Sequence, residues 1–262
     1  MSIQFDKVQP KNKAQLKSLI DYAFKHNIYD LNFIDTSKIT NMSWLFENVK
    51  HNFDVSNWDV SNVTYMNGIF SFCYKFEGKG LENWDVSAVN NMYAMFFNCK
   101  NFNADLSQWD VSKVTDMRYM FDGCSIFTGE GLENWDVSKV KDMHMMFADC
   151  DDFDCDLSNW NVSNVVNIGW MFNCCKKFTG KGLENWDVSK VKNTHHMFAG
   201  CNKFDCDLSN WNVSNVKDMR DMFVNCKKFN CDLSDWDISN ITRRKNMFSG
   251  CDKMTIPAWY NG

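Results

Sequence analysis

The chain has 262 residues, 45% of them hydrophobic and 23% charged, with a formal net charge of -5, a composition that excludes a disordered or collagen-like chain. An isoelectric point near 5.5 argues against nucleic acid as a partner. No apolar run approaches the about 18 residues of a membrane-spanning helix, and residues 1–25 lack the basic-then-apolar order of a secretory signal.

In chain order, the first predicted element is a helix over Lys13 to His26. It follows Pro10 and places Leu16, Leu19, Ile20, Ala23 and Phe24 on one face. A repeat then begins with a degenerate copy at Ile34-Asp35-Thr36-Ser37 and continues with WDVS or a close variant at Trp58, Trp84, Trp109, Trp135, Trp160, Trp186, Trp211 and Trp236. The spacings are 26, 25, 26, 25, 26, 25 and 25 residues. They alternate because two connectors alternate: FTGKGLENW and its relatives precede the longer units, FDCDLSNW and its relatives the shorter. The tail from Met254 breaks the pattern with Pro257, Trp259 and Tyr260. With only 2 Pro and no Gly/Ser linker, the expected organisation is one structural domain. It comprises a capping helix at 1–30, nine repeats at 31–253 and a cap at 254–262.

Two periods coexist in each unit. Trp109 and Val111 alternate with Asp110 and Ser112, as in a short strand with one buried face. Val114, Met117, Met120, Phe121 and Cys124 then fall at steps of three and four, the stripe of a short amphipathic helix. A unit this small cannot bury its own apolar side, so neighbours must stack. The expected fold is an α/β solenoid of nine coils, each a short parallel β-strand plus a short helix.

The pattern L-x-x-W-x-V resembles the L-x-x-L-x-L strand of leucine-rich repeats. The fuller unit, such as DLSNWNVSNVKDMRDMFVNCKKF at residues 207–229, is similar to the repeat of BspA-like leucine-rich-repeat surface proteins, across residues 31–253. The resemblance implies a leucine-rich-repeat-like stack and a role in adhesion or protein–protein contact at a bacterial surface.

Candidate sites are weighed against the repeat. Cys73, Cys99, Cys124, Cys150, Cys175, Cys201, Cys226 and Cys251 recur once per unit, Cys155, Cys206 and Cys231 form a second short ladder, and Cys174 stands alone. Equivalent side chains on successive coils point the same way, which is poor disulfide geometry, and no C-x-x-C pair marks a zinc site. These thiols are expected to be reduced, buried and small, which favours a cytoplasmic location, with the cell surface by a non-classical route as the alternative. Asp59, Asp85, Asp110, Asp136, Asp187 and Asp237, with Asn161 and Asn212 at the same frame, form a polar row between inward Trp and Val. That row is either bonded to its own backbone or is a partner-binding strand face; calcium is a weaker reading without D-x-D-x-D-G spacing. The Gly-x-Gly pairs at Gly78, Gly129 and Gly180 read as turns and not as phosphate loops.

The least repetitive positions lie in the predicted helix. Tyr93, Tyr119, Met145 and Trp170 would stand on adjacent coils as an alternative partner-binding face. His144, His195 and His196 are too far apart by coil count to hold a metal. Because Ser and Asp repeat on every coil, no unique acid, base or nucleophile stands out, and enzyme activity, such as a hydrolase, is the weaker reading. The expected function is a non-enzymatic, monomeric protein-interaction scaffold without cofactor or metal, the alternative being a surface or adhesion protein.

Overall fold

A computed structural model describes residues 7–261. Residues 1–6 of the expected cap and Gly262 of the tail lie outside the described residues. Helix α1 runs Lys13–Lys25, opened by Asn12, whose side chain accepts the Gln15 N–H at 3.0 Å. Leu16, Ile20 and Ala23 are fully buried, and Leu19 and Phe24 pack against the core from its edge. The chain leaves the helix through Asn27, whose φ of 60° is one that Asn tolerates.

Beyond α1 the expected strand-plus-helix coil does not form. Among the described residues there is no extended strand, and the only other helices are two 3-10 turns, Leu81–Asn83 and Leu183–Asn185. Parallel pairing is confined to isolated bridges. One column of them runs Asn41, Tyr65, Asn91, Asp116, Asp142, Asn167, Asn193, Asp218 and Arg243, one residue per coil and well away from the Trp-Asp-Val segment where strands were expected.

The stripe read as a helix is instead two consecutive four-residue turns. In Met92–Cys99, the N–H of Met95 returns to Met92 O at 3.2 Å and that of Cys99 to Phe96 O at 2.9 Å. The third residue of each turn is left-handed, Ala94 at φ 52° and Asn98 at 57°. The same pair of left-handed positions recurs at 44/48, 68/72, 119/123, 145/149, 170/174, 196/200, 221/225 and 246/250, which numbers the coils from one to nine. An α-helix would close each N–H on a carbonyl four residues back and leave nothing for its neighbour. Here the intervening N–H groups of Met92, Ala94, Phe96 and Asn98 donate to Asp116, Arg118, Met120 and Asp122 of the next coil at 3.1, 2.9, 2.8 and 2.6 Å. The double turn therefore satisfies its own backbone and stitches the stack in one stroke.

Side chains inside the stack form columns. Phe46, Phe70, Phe96, Phe121, Phe147, Phe172, Phe198, Phe223 and Phe248 stack with centroids 5.5–5.9 Å apart and planes within 1–12°. Each such burial contributes roughly 1.5–3 kcal/mol, and the ring pairing about 0.5–1.5 kcal/mol more. Every repeat Trp is buried, and its indole N–H donates to a carbonyl of an earlier coil at 2.8–3.2 Å, as Trp135 does to Leu106 O. Trp259 of the tail continues this ladder: it is partly buried and donates to Leu233 O at 2.9 Å.

The cysteine column has a polar reason as well as an apolar one. Each of the eight thiols donates to a Phe carbonyl of the preceding coil at 2.8–3.0 Å, as Cys124 does to Phe96 O. All twelve cysteines are free. Burial holds their thiols protonated, with Cys73 pushed up to about 12. The Gly-x-Gly connectors are turns: Gly182 has φ 92°, and a Cβ there would overlap the Ser158 backbone.

Candidate functional site

The two faces proposed from sequence differ in what their side chains already do. Asp59, Asp85, Asp110, Asp136, Asp187 and Asp237 are exposed, but each closes a turn on itself by accepting the backbone N–H of the Ser two residues on, at 2.9–3.0 Å. Asn161 and Asn212 make the same bond at 3.1 and 3.2 Å, so the row needs an oxygen acceptor and not a charge. Hydrogen bonds from the Ser hydroxyl and backbone hold the Asp110, Asp136 and Asp187 carboxyls below the usual carboxylate range. The row is a set of separate Asx turns, one per coil.

The alternative residues are brought together, on the outer side of the double turns and not on a helix. Tyr119, Met145 and Trp170 are the left-handed residues of their first turns, at φ 59°, 56° and 61°, and Trp44 and His196 hold the same place at 56° and 55°. Tyr93 stands one residue before such a position. The rings form a continuous stripe: Trp44 to Tyr93 at 6.3 Å, Tyr93 to Tyr119 at 5.5 Å and Tyr119 to His144 at 5.4 Å, all edge-on. Arg118 lies over Tyr93 at 5.2 Å while gripping Asp116 with both Nε and Nη2, at 2.9 and 2.7 Å.

Glycines close gaps in the stripe. Gly68 leaves room for the Trp44 ring to lie across its coil and reach Tyr93. Gly169 does the same between His144 and His195, which stack at 6.0 Å although two coils separate them. Counting coils placed these histidines apart; the missing side chain brings them together.

The stripe ends in a hydrogen-bonded knot. The Trp170 indole N–H donates to His195 Nε2 at 2.6 Å, and since indole is a donor only, Nε2 carries the lone pair. The proton of His195 then sits on Nδ1, directed at Asn193 Oδ1 at 2.6 Å. His196 stacks flat on Trp170 at 4.0 Å, with its Nε2 3.5 Å from Asp221. Burial pushes His144, His195 and His196 below the ordinary histidine range, so all three are neutral at pH 7.

Trp44, His144, His195, His196 and the buried Asp122 were not among the candidate site residues. The signal for Trp44 was its frame, two residues after Met42 and level with Gly68. Asp122 carries no sequence signal, because its burial depends on the double turn. Among the described residues no group of three His, Cys, Asp or Glu side chains is placed to hold a metal ion. No helix among them is long and apolar enough to cross a membrane.

A comparison with curated proteins finds no match. The sequence profile of the family described as Mycoplasma protein of unknown function, DUF285, matches three overlapping segments, residues 14–130, 103–182 and 170–260. Those segments run from α1 to the terminal aromatics and take in every coil, and the chain is therefore a repeat protein belonging to that family of Mycoplasma proteins of unknown function.

Proposed function

We propose that the chain is a non-enzymatic scaffold that binds a protein partner through the outer face of its double turns, with Tyr93, Tyr119 and Trp170 as anchors. The observation that carries this reading is where the large side chains stand. A non-glycine residue in the left-handed region costs roughly 1–2 kcal/mol, and Gly68 shows that glycine fits the same register. Trp44, Tyr119, Met145, Trp170 and His196 occupy those positions nonetheless, and no two of these residues that adjoin in the column are of the same type. Packing that repeats on every coil does not call for such variety; recognition of one partner does. Aromatic, Met and Arg side chains are also the types that interfaces enrich.

A second reading, adhesion at a bacterial surface, draws on the resemblance to BspA-like repeats and uses the same face. Surface labelling of intact cells separates it from an intracellular adaptor.

The test is capture from extracts of the source cells by immobilised protein. A partner retained by the wild type and by Asp110→Asn/Asp136→Asn, and lost with Tyr119→Ala/Trp170→Ala, supports the turn face. The reverse pattern moves the site to the Asp row. Reproducible turnover of a general substrate, abolished by one substitution, overturns the non-enzymatic reading.

A further inference from the structure

Asp122 is only 6% exposed, and among the described residues no group donates a hydrogen bond to its carboxyl. It sits in the floor of an open groove of about 490 Å³ beside the aromatic stripe. The groove exists because Gly123, the second left-handed residue of coil four, has no side chain, so the gap between Asn98 on coil three and Asp149 on coil five stays open. Phe97, which meets Tyr119 edge-on at 6.2 Å, and Met145 supply apolar walls.

We propose that this groove is the anchor pocket for a cationic side chain of the partner, an arginine guanidinium set between the Asp122 and Asp149 carboxylates and against Phe97. The inference rests on the scaffold reading and adds the partner's chemistry to it. The Asp122 carboxyl is largely shielded and meets solvent only through the groove, and a cation carrying several N–H groups there would supply the donors that the chain does not. The lysines at the rim are engaged elsewhere: Lys176 pairs with Asp151 at 2.8 Å, and Lys100 lies over the Tyr74 ring at 5.9 Å. The Phe97 and Met145 walls suit a planar guanidinium, which stacks on aromatic faces, better than a bare metal ion. A metal would also require convergent ligands, and no three His, Cys, Asp or Glu groups among the described residues provide them.

Binding is linked to pH. Burial, and then Asp149, push the Asp122 carboxyl up to about 7. Tyr119 and Cys124 of its own coil and Cys150 of the next also face it, and Tyr119 and Cys150 are themselves held protonated at neutral pH. A cation binds the ionised form, so affinity rises with pH until Asp122 is fully ionised and then levels off.

The experiment titrates the full chain with N-acetyl-arginine amide, its neutral isostere N-acetyl-citrulline amide, and calcium chloride, followed by NMR at pH 5.5 to 8.5. Expected is saturable binding of the arginine derivative alone, weakening by up to about tenfold per pH unit below about 7. Asp122→Asn should weaken it at least tenfold, and Asp136→Asn should not change it. Asp122→Asn removes a charge that burial disfavours, so its circular dichroism should match the wild type; Asp149→Asn serves as the second variant. Equal binding of the citrulline derivative, no binding at all, or binding that survives both substitutions overturns the proposal. Asp122-dependent calcium binding without arginine binding would assign a metal site instead. Because the probe needs no partner, a negative result leaves the scaffold reading standing on the Tyr119 and Trp170 test.

Discussion

The WDVS side and the double-turn side of each coil are built from the same chain and meet the same core, yet they differ in what they leave open. On the WDVS side the recurring polar side chains are closed within their own coil or onto an earlier one: Asp to Ser N–H, Trp indole to a Leu carbonyl. Its residues are accordingly the same on coil after coil. On the double-turn side the coils are joined through the backbone, by alternate local and inter-coil hydrogen bonds, and side-chain pairs such as Trp170–His195 belong to particular coils. Side chains there are free to differ, and they do, from Gly68 through Tyr119 to Asp221. Identity in a repeat protein therefore collects where the main chain, and not the side chains, holds neighbouring coils together.

The largest expected effect tests the closed side. Trp135→Ala in mid-stack should cost roughly 3–5 kcal/mol by urea unfolding, against about 1–2 kcal/mol for Trp259→Ala at the partly buried end of the ladder. Equal costs would mean that the indole ladder is not a continuous core.

Next comes a pair of glycines, one from each side. Gly182→Ala forces a Cβ into the Ser158 backbone at φ 92° and should cost about 2–3 kcal/mol. Gly200→Ala, at φ 78° with Cys174 Sγ its nearest neighbour at 3.3 Å, should cost only about 1 kcal/mol, the left-handed penalty alone. Thermal melts of the two variants measure the difference, and a larger loss for Gly200 would reverse the contrast between the sides.

The smallest effect is asked of the Asp row. Asp110→Asn/Asp136→Asn keeps both Asx acceptors and should stay within about 0.5 kcal/mol of wild type. A loss beyond about 1 kcal/mol would show that the charge, and not only the oxygen, holds the turn.

The period, the buried Trp, Val, Met, Phe and Cys positions and the stacking of coils were all legible, because burial leaves its mark as hydrophobic spacing. The helix was misread because Met117, Met120, Phe121 and Cys124 are spaced three and four apart, which is equally the spacing of two turns in succession. The distinguishing signal was present: Asn48, Gly68, Asn98, Gly123, Gly200, Asn225, Asn246 and Gly250 put left-handed-tolerant residues at the third place of the turns, where a helix would be weakened. Of the candidate stripe, Tyr93, Tyr119, Met145 and Trp170 were readable from sequence as variable large side chains on adjacent coils. The His144–His195 stack was not readable, since it depends on Gly169 leaving space across coils, nor was Asp122, whose burial depends on the double turn.

The inter-coil bonds of the double turns also have a direction. From Met42 to Asn225 these N–H groups donate to the coil that follows, never to the one before. The stack is thus a polar filament segment with two unlike ends. Among the described residues no N–H donates to the carbonyls of Ser43, Leu45 and Glu47 in the first double turn, and no later coil receives the N–H groups of the last. Bonds of this polarity run in one sense only, and at the N-terminal end α1 packs on the stack, with Phe24 6.4 Å from Phe46. At the C-terminal end the Tyr260 hydroxyl takes the Met247 N–H at 3.0 Å, and its ring covers Phe248 edge-on at 5.1 Å. The tail thus occupies one of the N–H groups, and covers one of the rings, that a further coil would otherwise meet.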